Sequence, residues 1–142
     1  MRQICVVIIA LFTCVSCQIK SPKNAIEGTW KLIYAETKQG DSIQVKALSN
    51  TDFIKIINSS HFAFINQDYE NAENFYSGGG TYTYIENQYV ETLSYTSVEL
   101  IRNHEFPFTV RINGDTLTQT GIEDIKDAGI KREITEKYIK IN

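Results

Sequence analysis

Four tyrosines and one carboxylate are spaced to share a face around a single turn. Tyr82 and Tyr84 precede Glu86-Asn87, and Tyr89, Glu91 and Tyr95 follow it at intervals of two or four. Successive strand residues alternate between faces, so a hairpin with a two-residue turn sets Tyr84 opposite Tyr89 and Tyr82 opposite Glu91. Tyr82, Tyr84, Tyr89, Glu91, Leu93 and Tyr95 then lie on one side, and the small residues Thr81, Thr83, Val90, Thr92 and Ser94 on the other. Directed inward, the first face offers phenols and a carboxylate that would orient a partly polar ligand while the rings supply contact area. Two other readings stay open: a core in which tyrosine hydroxyls satisfy Glu91, or an outward face.

Catalytic and metal chemistry finds less to work with. His61 and His104 are the two histidines, on different segments and without the spacing of a metal site. Each reads as a hydrogen-bonding surface or rim residue. Neither Ser77 nor Ser94 has the context of an elbow-type nucleophile, and Glu91 lacks an evident second acid for glycoside hydrolysis. Ser77-Gly78-Gly79-Gly80 is no phosphate loop, because it leads into a strand where such a loop must open a helix. Its glycines would let the chain turn sharply or let another backbone pass close by. No catalytic residue, metal or cofactor is assigned, and no enzymatic activity is expected.

The cysteines point to export. Met1-Arg2-Gln3 carries one positive side chain, Ile4 to Val15 is apolar apart from Thr13, and Cys14-Val15-Ser16-Cys17 follows. This is the layout of a secretory signal, too short for a bilayer crossing of about 20 residues. The last four residues resemble a lipobox, which makes Cys17 the expected lipidation site after cleavage behind residue 16. A lipobox ordinarily has leucine three places before its cysteine, where this chain has Cys14. Modification of Cys14 would restore the leucine, Leu11, with Phe12 and Thr13 at the cut. A plain signal peptide and a buried first strand are the other readings. All three cysteines, Cys5, Cys14 and Cys17, fall in or beside this segment, so the remaining domain has no thiol for a disulfide, a metal or a nucleophile.

Beyond the signal, the elements that must position these side chains read as strands. They are expected at Gly28–Glu36, Ser42–Ala47, Asp52–Ile57, His61–Ile65, Gly80–Ile85, Gln88–Tyr95, Glu105–Ile112, Asp115–Gly121 and Ile130–Ile141. Asn58-Ser59-Ser60, Glu86-Asn87 and Asn113-Gly114 are the hairpin turns, the last being the strongest short turn signal. Phe62, Phe64, Phe106, Phe108, Val110 and Ile112 fall in the core phase, and Pro107 argues for an edge position or a bulge. Short strands at regular spacing with no useful helical period favour an all-β barrel or sandwich. The barrel is preferred: one small antiparallel up-and-down barrel of about 8 strands.

Removing residues 1–16 takes Arg2 and no acid from 14 basic and 17 acidic residues, so the net charge moves from −3 to −4. The basic residues are scattered, with no stripe beside stacking aromatics, which argues against nucleic acid. The expected organisation is a signal at 1–16, a lipidated cysteine and polar tether at 17–25, and one barrel domain at 26–142, large enough to bury roughly two thirds of its unfolded surface.

Ile26-Glu27-Gly28-Thr29-Trp30 resembles the Gly-x-Trp signature that opens the first strand of lipocalins and related calycin barrels. FIKIINSSHFAFIN (Phe53 to Asn66), SGGGTYTY (Ser77 to Tyr84), YVETLSY (Tyr89 to Tyr95) and RINGDTLTQTG (Arg111 to Gly121) resemble a family of exported lipocalin-like proteins of Gram-negative bacteria. The resemblance covers most of residues 26–121 and fades at Ile122–Gly129, which reads as a polar loop. It implies a barrel plugged at its closed end by Trp30, a cell-envelope location and a ligand-binding role, in a family without an established substrate.

The expected function is therefore a monomeric envelope lipoprotein, anchored through Cys17 to a membrane, the outer membrane foremost, and binding a small amphipathic ligand. The alternative is an interaction or inhibitor scaffold with a filled barrel, using Thr37 to Asn50 and Glu70 to Gly79 for protein contacts.

Overall fold

A computed structural model describes residues 24–142. The expected signal at 1–16, Cys5, Cys14, the expected lipidation site Cys17 and the expected tether as far as residue 23 lie outside the described residues.

Alternation of inward apolar and outward polar side chains organises nine strands: β1 Gly28–Gln39, β2 Ser42–Val45, β3 Thr51–Ile57, β4 His61–Asp68, β5 Tyr76–Ile85, β6 Gln88–Tyr95, β7 His104–Asn113, β8 Thr116–Ile125 and β9 Ile130–Lys140. Every pairing is antiparallel. Eight strands form the ring β1-β3-β4-β5-β6-β7-β8-β9, which β9 closes by pairing back onto β1 from Trp30↔Lys140 to Lys38↔Glu133. The short β2 is a flap outside the ring, paired only with the far end of β1 at Glu36↔Val45 to Gln39↔Ser42. The expected up-and-down antiparallel barrel is the observed architecture, and closure leaves the eight ring strands no free edge.

Three local features differ from the sequence expectation. The β7–β8 turn is Gly114-Asp115 rather than Asn113-Gly114, because Asn113 still pairs with Thr116 and Gly114 takes the positive φ of 57°. Pro107 sits within a ring strand, neither at a sheet edge nor at a bulge. The Val110 N–H bonds Asn87 on the β6 side. Strand alternation therefore aims the Pro107 nitrogen at β8, one position past the last rung, Phe108↔Gly121, so no ladder bond is lost. Finally, β8 runs on to Ile125 through much of the stretch expected to be loop, with Glu123 opposite Arg132 on β9.

The glycine run is explained by close approach, not by a turn. Gly78, Gly79 and Gly80 lie inside β5, and a bulge separates Gly79 from Gly80. A Cβ at Gly80 would collide with the Thr92 carbonyl oxygen, and one at Gly79 would come within 2.6 Å of the Phe62 carbonyl oxygen.

Because strands alternate in direction, the chain ends and the tight turns gather at one end of the barrel and the longer connections at the other. The tight end is filled. Trp30 is 1% exposed, its indole N–H donates to the Ile26 carbonyl at 2.9 Å, and the Lys140 ammonium lies 4.9 Å from its ring centre. Ile26, Ile57, Tyr89, Val110 and Leu117 are buried with it.

Candidate functional site

The other half of the barrel interior is hollow. A cavity of about 390 Å³ opens between the connections β1–β3, β4–β5, β6–β7 and β8–β9. Leu32, Leu93, Phe106, Phe108 and Ile134 line its walls, and Phe53 stacks on Phe64 at 5.6 Å to make one side. Its polar groups come from strand positions where the alternation would ordinarily place an apolar residue. Lys55 falls between Phe53 and Ile57 on β3, Gln119 follows Leu117 on β8, Glu91 stands between Tyr89 and Leu93 on β6, and Glu136 between Ile134 and Tyr138 on β9.

These four form one network across the barrel. The Lys55 ammonium donates to Glu91 Oε1 at 2.7 Å and to Gln119 Oε1 at 3.2 Å. The Gln119 amide donates to Glu136 Oε2 at 3.3 Å, and the Tyr138 hydroxyl donates to the same oxygen at 2.6 Å. Lys55 is 3% exposed and Glu91 6%. Removing two charges from water costs several kcal/mol each, and proximity plus hydrogen bonds must offset that. The Lys55 ammonium adds an aromatic surround, 5.3 Å from the Tyr138 ring centre and 5.9 Å from that of Tyr89.

Burial raises the Glu136 pKa above the ordinary 4.5, against the opposing pull of the Lys55 charge and the Tyr138 hydrogen bond. Part of the Glu136 surface remains accessible, yet protein surrounds it, because that surface is cavity wall. Tyr138 is raised well above 10.0, first by burial and then by the Glu136 charge. Tyr89 is raised likewise by burial and by Glu91, and its hydroxyl is buried without a hydrogen-bond partner of good geometry.

Two charged groups mark the mouth. Arg132 Nε donates to Glu123 Oε2 at 2.5 Å. Lys46, on the β1–β3 connection, donates to the Tyr76 hydroxyl at 2.8 Å and to Asn66 Oδ1 at 2.9 Å.

The residues expected on one face of the β5–β6 hairpin separate by depth. The register is as expected, with Tyr84↔Tyr89 and Tyr82↔Glu91. Glu91 lines the cavity. Tyr89 is fully buried, and Tyr82 and Tyr84 pack against it at 5.3 and 6.4 Å between ring centres, towards the filled end. The Tyr82 hydroxyl donates to the Asn58 carbonyl. Tyr95 is 68% exposed and lines an outer groove beside Gly78 and Gly79 instead of the cavity. His61 bonds Ser60 on the surface and His104 packs edge-on against Phe106, so the structure does not bring the histidines together. Among the described residues no His, Cys, Asp and Glu grouping is arranged to hold a metal.

Lys55, Gln119 and Glu136 were not singled out from the sequence. The available signal was phase, since each is a polar residue at an inward position of a strand whose neighbours two residues away are apolar.

No protein-family model matches this chain, and neither the curated proteins nor the solved structures contain a match to it.

Proposed function

We propose that this protein is a lipid-anchored binding protein of the cell envelope, a lipocalin-like barrel holding a small amphipathic molecule in its open half, without enzymatic activity. The observation that carries the reading is the cavity itself, with apolar walls over a polar floor. Pockets for small molecules are mostly apolar with a few convergent polar groups, and range over roughly 300–1,000 Å³. A barrel needing only stability would fill that volume, because unfilled space forfeits contacts along its whole lining. The export signal and Cys17 support the anchor and the location, the outer membrane foremost.

Native mass spectrometry of the domain purified from its own host tests the binding role. The expected result is a retained small-molecule adduct, released on denaturation. A bare mass, together with failure to take up any amphipathic probe, would overturn it.

A second reading has its own support. Tyr69, Phe75 and Tyr76 on the β4–β5 connection and the start of β5, and Ile43 and Val45 on β2, are exposed apolar side chains near the mouth. Exposed apolar side chains at loops suit protein contact, and a scaffold function would use the barrel rim instead of its interior.

A further inference from the structure

Of the charged groups that line the cavity, four form two ion pairs, and Glu136 and Lys46 are left over. Lys55 is matched by Glu91 at 2.7 Å and Arg132 by Glu123 at 2.5 Å. Glu136 has no ion-pair partner among the described residues. Its Oε2 accepts both of its hydrogen bonds, from the neutral Tyr138 hydroxyl and Gln119 amide, and its Oε1 accepts none from the described residues. Glu136 nevertheless lines the cavity with Leu93, Phe106 and Ile134. A carboxyl group held away from bulk water, with an unused acceptor and no ion-pair partner, is costly to ionise. A donor placed in the cavity would remove that cost.

Resting on the binding role proposed above, we propose that the ligand carries a basic amine, whose ammonium group donates to Glu136 Oε1 while its apolar body lies along the Leu32, Leu93, Phe106 and Phe108 walls. Lys46 offers the opposite recognition, a cation for an anionic head group. It already donates to Tyr76 and Asn66 and stands at the mouth, where solvent shares its charge, so its need for a partner is the smaller.

The test compares three probes of one chain length, n-octylamine, n-octanol and octanoate, by calorimetry on the domain from residue 18 onward. A charge-assisted hydrogen bond predicts that the amine binds roughly tenfold to a hundredfold tighter than the alcohol. Glu136→Gln should abolish the advantage of the amine over the alcohol. Equal affinity for amine and alcohol, or a preference for octanoate, overturns the amine assignment and leaves the cavity reading standing. Binding of none of the three overturns the cavity reading as well. The comparison on the unaltered protein decides the question even if the variant does not fold.

Discussion

Lys55 and Glu91 are the most consequential pair in the barrel because neither can be changed alone at low cost. Removing one partner of a buried ion pair leaves the other charge in apolar surroundings, typically a loss of about 3–5 kcal/mol. Glu91→Gln should therefore destabilise the domain by several kcal/mol in denaturant unfolding, with Lys55 left as the uncompensated group. The double variant Lys55→Met with Glu91→Leu should recover most of that loss, since well-packed apolar replacements of buried pairs are often neutral or stabilising. A double variant no more stable than Glu91→Gln would show that the pair does not act as a unit. Glu136 predicts a pH dependence. Its folded pKa is raised above 4.5, so the folded state binds more protons than the unfolded chain. Its contribution to stability is present below pH 4.5 and is lost as pH rises through the folded value. Lys55, Tyr138, Glu91 and Glu123 all act on Glu136. The check is therefore the difference between unaltered protein and Glu136→Gln across that range: the variant should lack the decline. Parallel curves would remove Glu136 as its source.

Strands carried most of what the sequence made legible. Two-residue alternation and turn chemistry located all nine strands, and the pairing Tyr84↔Tyr89 followed from counting outwards from Glu86-Asn87. Alternation tells which face a side chain takes but not how far along the barrel axis it sits. Consequently Tyr82, Tyr84 and Tyr89 were grouped with Glu91, although the filled end holds the tyrosines and the cavity holds the acid. The contacts of Lys55 were illegible for a related reason: they run from β3 across the interior to Glu91 on β6 and Gln119 on β8, and cross-barrel distance has no local signature, whereas Gln119 and Glu136 are direct cross-strand partners. The extension of β8 to Ile125 was hidden because its charged residues Glu123 and Asp124 read as loop-like. At this scale the sharpest prediction concerns glycine. Gly80→Ala drives a methyl group into the Thr92 carbonyl and should cost at least ~3 kcal/mol, the upper end for overpacking. Gly114→Ala meets nothing and pays only for its left-handed backbone, ~1 kcal/mol. Thermal melts of the two variants should fall in that order, and the reverse order would contradict the β5–β6 packing.

Across the whole molecule, the barrel divides into a packed half that maintains the fold and a hollow half available for function. Trp30 belongs to the first. Trp30→Ala should cost ~3–5 kcal/mol, a large share of the ~5–15 kcal/mol that holds a domain together, and a melting temperature that hardly moves would contradict its place in the plug. The proposed anchor is tested independently. Cys17→Ala should abolish labelling by a fatty-acid probe and release the domain from membranes, whereas Cys14→Ala should leave both unchanged, and the opposite pattern would move the site to Cys14. The two ends of the described chain meet at the packed end, where Thr29 N–H bonds the Asn142 carbonyl and Ile141 N–H bonds that of Thr29. A chain anchored at Cys17 would enter the barrel there, on a leash of seven residues, 17–23, that reaches at most roughly 25 Å. The mouth lies at the opposite end of the barrel from that attachment. Such a barrel would trade its cargo with the aqueous compartment or with a docked partner, rather than drawing lipid sideways out of the leaflet that holds it.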